Sequence, residues 1–293
     1  MNIIRTIAEM REEARENARR DASVGFVPTM GALHEGHVSL MQRSREDNDV
    51  TVASIFVNPT QFNEQDDFDK YPRTFEQDCE ILEAAGVDTL FAPATEEMYH
   101  PRHQTSVAVA QLADHLCGIS RGRRHFMGVC TVVSKLFNCV QPTRAYFGQK
   151  DAQQALIIQR MVIDLNFPVE IVVCPIVREK DGLAMSSRNR RIADDLRDSA
   201  LTLVRSFGYA CGMLKDGERD AQTLINGMME FILRDRRVEV DYVSIVSPET
   251  LEDVATVEDF SLIAGAILIG DVRLIDNILV TPEGPARGQI EFI

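Results

Sequence analysis

The sequence predicts an α/β fold: a doubly wound parallel sheet over residues 1–178, followed by a second, smaller α+β domain over residues 179–293. Three observations carry this. The apolar runs at 50–57 (VTVASIFV) and 169–177 (VEIVVCPIV) are nearly continuous, as in strands buried on both faces. Strand-like and helix-like segments alternate up to residue 178, the rhythm of parallel strands joined by crossover helices. Beyond Arg178 the rhythm stops, and two polar helical stretches precede a run of strands.

The elements follow in order. Residues 2–20 read as one amphipathic helix, and 24–27 as a short strand. A glycine-bearing loop then leads into a helix over 37–46. The strand at 50–57 ends on the turn signal Asn58-Pro59. A helix over 73–85 closes at Gly86 before a strand at 88–92. Residues 126–140 form a helix that feeds a strand at 144–147, and 151–165 a helix that feeds the strand at 169–177. In the second domain, helices cover 194–234 and strands lie near 238–246, 266–269 and 274–280. The turn-rich end after residue 280 reads as a poorly anchored tail. Ligands of such sheets bind beyond the carboxyl ends of the strands, so the loops after residues 27, 57, 147 and 177 are the informative ones.

Composition excludes several functions. With 31 Lys+Arg against 45 Asp+Glu, the net charge of −14 argues against nucleic acid and anionic membrane surfaces as partners. The longest apolar run, at 262–269, is far below the ~20 residues of a membrane span. The N-terminus turns charged too soon for a secretion signal. Six scattered cysteines without a CxxC pair fit reduced thiols in a cytoplasmic protein. GxxxxGK and GxGxxG are absent. The GxSxG match at Gly118–Gly122 lacks the preceding buried strand that a nucleophile elbow requires, so Ser120 is a chance match.

Four loops bear chemistry. In Pro28-Thr29-Met30-Gly31-Ala32-Leu33-His34-Glu35-Gly36-His37, small residues admit a bulky ligand and a helix N-terminus offers free N–H groups to phosphate. Its histidines, three apart, can both donate to phosphoryl oxygens. In Asn58-Pro59-Thr60-Gln61-Phe62, the Gln61 amide suits a ligand with a hydroxyl and a carboxylate. In Phe147-Gly148-Gln149-Lys150-Asp151, Lys150 is one of only five lysines and sits at a strand end, a point charge for phosphate. Met185-Ser186-Ser187-Arg188 joins hydroxyls to a guanidinium, as a polyphosphate clamp does. No protein metal site is read.

These segments, in this order, resemble the pantoate–β-alanine ligase (pantothenate synthetase) family of the nucleotidyltransferase superfamily, related to class I aminoacyl-tRNA synthetases. PTMGALHEGH stands where that superfamily carries HxGH, and MSSRN where relatives carry a KMSKS-like loop; YPRT, FGQKDAQQ and GDVRLIDN also match. The resemblance spans about residues 1–280. It implies a Rossmann-like nucleotidyltransferase fold and ATP-dependent condensation of pantoate with β-alanine through an acyl-adenylate. Met30, Gly31, Ala32, Leu33, His34, Glu35, Gly36 and His37 would surround ATP, with His37 as proton donor. Gly148, Gln149, Lys150 and Asp151 would hold adenosine and phosphates, and Val177 would meet adenine through its backbone. Met185, Ser186, Ser187 and Arg188 would close over the triphosphate. Gln61 and Gln154 would hold pantoate, Mg²⁺ would bridge the phosphates, and the chain would form a homodimer. His34, His37 and Lys150 would be catalytic. Two departures stand out: Gly122-Arg123-Arg124-His125-Phe126 replaces an Arg-Pro-Gly-His-Phe-like segment, and Gln149 stands where Glu is common. With Lys150 and Arg188, the arginines at 121, 123, 124, 190 and 191 would make a basic cleft in an acidic protein.

Overall fold

A computed structural model describes residues 1–63, 68–282 and 284–286. The first sheet has six strands, β1 (Asn2–Ile4), β2 (Val24–Thr29), β3 (Val50–Ile55), β4 (Thr89–Phe91), β5 (Arg144–Gly148) and β6 (Glu170–Cys174). All pair in parallel, in the order β1-β4-β3-β2-β5-β6. Helices α1 (Ile7–Arg19), α2 (Glu35–Asp47), α3 (Phe75–Ala84), α4 (Thr95–Met98), α5 (Cys117–Val140) and α6 (Ala152–Asp164) connect them. Chain direction across the sheet reverses at β2, which has β3 on one side and β5 on the other. The crevice beyond these strand ends is where such sheets bind ligands.

Two expectations change here. Residues 2–20 are not one helix: β1 pairs with β4 at the sheet edge, and Thr6 starts α1 with a capping box, its hydroxyl accepting the Glu9 N–H at 3.2 Å. The helix expected at 126–140 begins nine residues earlier, at Cys117, and bends at Gly122 (φ 73°, ψ 162°). Ser120 therefore lies on a helix and not at a strand end, which removes the nucleophile elbow.

The second sheet is antiparallel, in the order β10-β9-β8-β7, with β7 (Val238–Val246), β8 (Leu262–Ile269), β9 (Val272–Thr281) and β10 (Gly284–Ala286). Helices α7 (Arg197–Ala200), α8 (Thr202–Lys215) and α9 (Ala221–Ile232) cover it, so the stretch expected as two helices is broken into three. Their buried faces carry Phe207, Leu214, Leu224 and Met228 against Ile263, Ile267 and Ile278. β8 begins four residues before the expected 266, pairing from Leu262 with Val246 and Leu279; within it Gly265 lets α8 approach, since a Cβ there would lie 2.8 Å from Leu203 Cδ1. The expected loose tail is in part paired, as β10 on β9; residues 283 and 287–293 of that tail lie outside the described residues. No helix among the described residues is long and apolar enough to cross a membrane.

Candidate active site

The loop after β2 is built from beneath. Thr29 Oγ1 donates to the Ser54 carbonyl at 2.7 Å and accepts the Gly31 N–H at 3.1 Å. Gly31 (φ 81°) and Ala32 (φ 51°) then turn the chain through the left-handed region. A side chain at 31 would come within 2.9 Å of Asp78 Oδ2, so glycine is required for space as well as angle. The buried Asp78 carboxylate, reaching up from α3, accepts the N–H groups of Ala32 (2.9 Å) and Leu33 (2.8 Å) and the Thr74 hydroxyl (3.2 Å). Charge-assisted bonds of this kind hold the loop firmly.

His34 follows as N-cap of α2. Its Nδ1 accepts the Gly36 N–H at 3.2 Å, and His37 Nδ1 accepts the His34 N–H at 3.3 Å. A backbone N–H can only donate, so each Nδ1 is bare and each neutral ring carries its proton on Nε2. The rings lie 4.1 Å apart, centroid to centroid, and both line the cleft. Burial, reinforced by Lys150, lowers His34 to about 4. Burial and the neighbouring His34 lower His37 to about 3. At neutral pH the pair is therefore two uncharged hydrogen-bond donors. Gly36 permits this packing, since a Cβ there would meet His34 Cε1 at 2.9 Å.

The other loops converge on the same crevice. After β3, Asn58 Nδ2 donates to Gln61 Oε1 (3.0 Å) and to the Gly128 carbonyl (3.1 Å), while Gln61 Nε2 reaches Met30 Sδ (3.2 Å). A Cβ at Gly128 would collide with the backbone of Thr60 and Gln61 at 2.7 Å, so α5 can press this turn into place only with glycine there. After β5, Lys150 Nζ stands 3.4 Å from Asp151 Oδ2. Burial alone would raise Asp151, but Lys150, Arg121 and Arg188 outweigh it and hold its carboxyl below the usual range. After β6, the Val177 carbonyl accepts the Met185 N–H at 2.9 Å, tying the end of that strand to the 185–188 segment.

These loops enclose two adjoining chambers. Pro28, Met30, His34, Gly36, His37 and Gln61 line one side of the first; Gly148, Lys150, Asp151, Gln154, Val177 and Met185–Arg188 line the other. The second shares Met30, Gln61, Lys150, Asp151, Gln154 and Arg188 and adds Arg121, His125, Gln153 and Arg273. Fourteen of the predicted site residues thus line the first chamber, and the other five do not. Gly31, Ala32 and Leu33 are buried beneath the cleft and set the backbone path. Glu35 is exposed on α2 outside the chamber lining. Gln149 is wholly buried, its Nε2 donating to Asn277 Oδ1 of β9 at 3.1 Å.

The basic cleft is also narrower than the sequence suggests. Arg123 is 75% exposed and paired with Asp114, at 2.5 Å, and Arg124 is exposed. Arg121 is the arginine of that segment that faces the second chamber. It touches His125 Nε2 at 3.4 Å, while His125 Nδ1 lies 2.7 Å from the Gln61 carbonyl. A carbonyl only accepts, so His125 carries its proton on Nδ1, the opposite tautomer to His34 and His37. Burial, then Arg121, lowers His125 to about 4.

Sequence reasoning passed over Asp78, His125 and Asn277 as site residues and did not single out Arg121. GDVRLIDN, which contains Asn277, and the 122–126 segment, which contains His125, stood out as segments, without a role for either residue.

Known proteins share this architecture. A family model described as pantoate-beta-alanine ligase matches residues 2–279. The chain is 51% identical to the pantothenate synthetase of Thermotoga petrophila over 280 residues, 96% of this chain and 100% of that protein. The one from Thermotoga neapolitana is 51% identical over the same length. Among solved structures, pantothenate synthetase from Thermus thermophilus superposes with a TM-score of 0.91 at 43% identity, covering 96% of this chain and 100% of that one. Pantoate-beta-alanine ligase from Francisella tularensis, complexed with beta-gamma ATP and beta-alanine, gives 0.74 at 34% identity over 95% and 97%.

Proposed function

The chain belongs to the pantoate–β-alanine ligase family and condenses pantoate with β-alanine at the expense of ATP, and we propose how its two chambers divide that work. In the first step the pantoate carboxylate attacks the α-phosphorus in line and pyrophosphate leaves. In the second the β-alanine amine attacks the pantoyl-adenylate carbonyl and AMP leaves. The protein forms no covalent bond, so its work is positioning and charge stabilisation.

The observation that carries the reading is the convergence of four donor groups on one chamber at the sheet's reversal point: the two Nε2–H imidazoles, Lys150, the Ser186–Ser187 hydroxyls and Arg188. His34 and His37 donate to phosphoryl oxygens. Burial keeps the His37 ring neutral, with its Nε2–H presented to the phosphates as the donor. Lys150 and Arg188 offset the charge developing on the triphosphate. Gln61 and Gln154 hold pantoate on the apolar floor made by Val129, Val132 and Val133. Val177 meets adenine through its backbone.

Among the described residues no three His, Cys, Asp or Glu side chains converge as a metal cage. Mg²⁺ would arrive on the phosphates as Mg–ATP, with Asp151 the carboxylate beside it, since Mg²⁺ is commonly held by phosphates plus one or two carboxylates. β-Alanine occupies the second chamber, its carboxylate on Arg121. The division between domains falls at 178/179, the smaller one acting as a lid that keeps water from the adenylate. The protein is a cytoplasmic homodimer.

Pantoate-dependent ATP–pyrophosphate exchange tests the assignment. Exchange requires pantoate, and AMP accumulates only after β-alanine is added. Exchange with another carboxylic acid and none with pantoate would overturn the substrate. Arg121→Ala should raise the KM for β-alanine at least about tenfold and leave exchange intact, the scale of losing one charged hydrogen bond. An effect confined to ATP would remove Arg121 from the amine subsite. Sedimentation velocity checks the dimer, and limited proteolysis the boundary.

A further inference from the structure

The chemistry above uses no residue of the GDVRLIDN segment, yet its last two side chains are among the few buried polar groups of β9. Asn277 is 3% exposed and all its amide capacity is spent in one direction. Its Nδ2 donates to the carbonyl oxygens of Gln149 (3.0 Å) and Lys150 (3.1 Å), and its Oδ1 accepts Gln149 Nε2 (3.1 Å). These three bonds cross from the small antiparallel sheet to the single turn that presents Lys150 at the end of β5. Next to it, Asp276 forms a two-pronged ion pair with Arg178 (2.6 and 3.0 Å), immediately after Val177 at the end of β6. Asp276 Oδ1 also accepts the Asn277 N–H at 2.8 Å, which locks the two residues together. One dipeptide of the second sheet thus grips the exits of two neighbouring strands of the first.

We infer that Asn277 is a positioning residue for Lys150, setting the turn that aims the ammonium at the triphosphate, with Asp276–Arg178 holding the adjacent adenine-side strand in register. The inference rests on the reading that Lys150 serves adenylate formation. Its physical ground is that Asn277 supplies buried side-chain donors to two successive carbonyls of the 149–151 turn; without it those donors are lost and the turn relaxes.

A double-mutant cycle tests this on the full chain, with pantoate-dependent ATP–pyrophosphate exchange as readout and circular dichroism to confirm folding. Asn277→Ala should slow exchange about 10–100-fold at saturating substrates, with the KM for pantoate changed less than about threefold. In a Lys150→Ala background the same substitution should cost less than about threefold, because a residue acting through Lys150 has nothing left to position. An equal fold-loss in both backgrounds means a general structural role and overturns the inference. So does normal exchange in Asn277→Ala where Lys150→Ala is slow. Normal exchange in Lys150→Ala instead overturns the reading of the site, and the inference with it. Should Asn277→Ala not fold, Asn277→Ser, which keeps a small hydroxyl donor, decides by the same cycle.

Discussion

The histidine loop and the 185–188 segment face each other across one chamber, and they are held in opposite ways. The histidine loop rests on buried interactions within its own sheet: the Asp78 carboxylate, the Thr29 hydroxyl, and two imidazoles bonded to the loop's own backbone. The 185–188 segment hangs from the junction of the two sheets. Asn189 anchors it to Glu179 (2.6 Å) and to the Ala184 carbonyl (3.0 Å), and Arg197 bridges Glu179 and Asp181 with side chains about 30% exposed. Partly exposed ion pairs of that kind are weak, whereas buried charge-assisted bonds are not. One side of the chamber is therefore braced by buried bonds within its own sheet, and the other hangs on contacts nearer the surface.

The largest test of this contrast lies on the braced side. His37→Ala and Lys150→Ala should each slow adenylate formation about 10²–10³-fold in single-turnover measurements, the loss expected for one transition-state donor. Near-normal rates would strike them from the machinery. Asp78→Ala should follow, with kcat for exchange falling more than KM rises and urea unfolding showing a loss of about 3 kcal/mol, because two loop N–H groups lose a buried charged acceptor. A change in KM alone would show that the loop does not need its brace.

On the 185–188 side the pattern should invert. Asn189→Ala should raise the KM for ATP several-fold with little change in kcat, and cost about 1 kcal/mol of stability. If kcat falls instead, the two sides are equally braced. Acidity offers a further separation. Unfolded imidazoles bind protons near 6.5, while His34 and His37 do so only at about 4 and about 3. Between those values the unfolded chain holds more protons, so their contribution to stability is full above about pH 7 and is lost as pH falls from 6.5 toward about 4 for His34 and about 3 for His37. NMR titration should find no midpoint between about pH 6 and 7, the ordinary imidazole range, for either ring. The smallest effect belongs to Arg123→Ala, which should leave exchange within about twofold, since that side chain points to solvent. A larger loss would return Arg123 to the cleft.

What the sequence disclosed, and what it withheld, follows the range of the interactions. The runs at 50–57 and 169–177 announced buried parallel strands because burial on both faces is a local property of composition. His34, His37 and Lys150 were legible because each sits at a strand-to-helix junction among residue types that serve phosphate. Asp78 was not, because its meaning lies in two N–H groups more than forty residues earlier. Asn277 stood in a visible motif, but its role depends on a turn 127 residues away. β1 was lost inside a helical pattern because three residues carry too little periodicity to stand against the capped helix that follows. Gln149, Ala32 and Leu33 belong to the right segments yet face inward, a distinction that a loop without period does not encode.

The bend at Gly122 carries one more consequence. Nothing lies within 4 Å of where its side chain would be, so the position demands a backbone angle and not a small volume. Arg121 before the bend and His125 after it meet in the second chamber, while Arg123 and Arg124 loop out between them. The bend works as a slack joint between two fixed points. The side chains at 123–124 can therefore change without retuning the chamber: this chain carries Gly-Arg-Arg at this point and keeps Arg121 and His125 together.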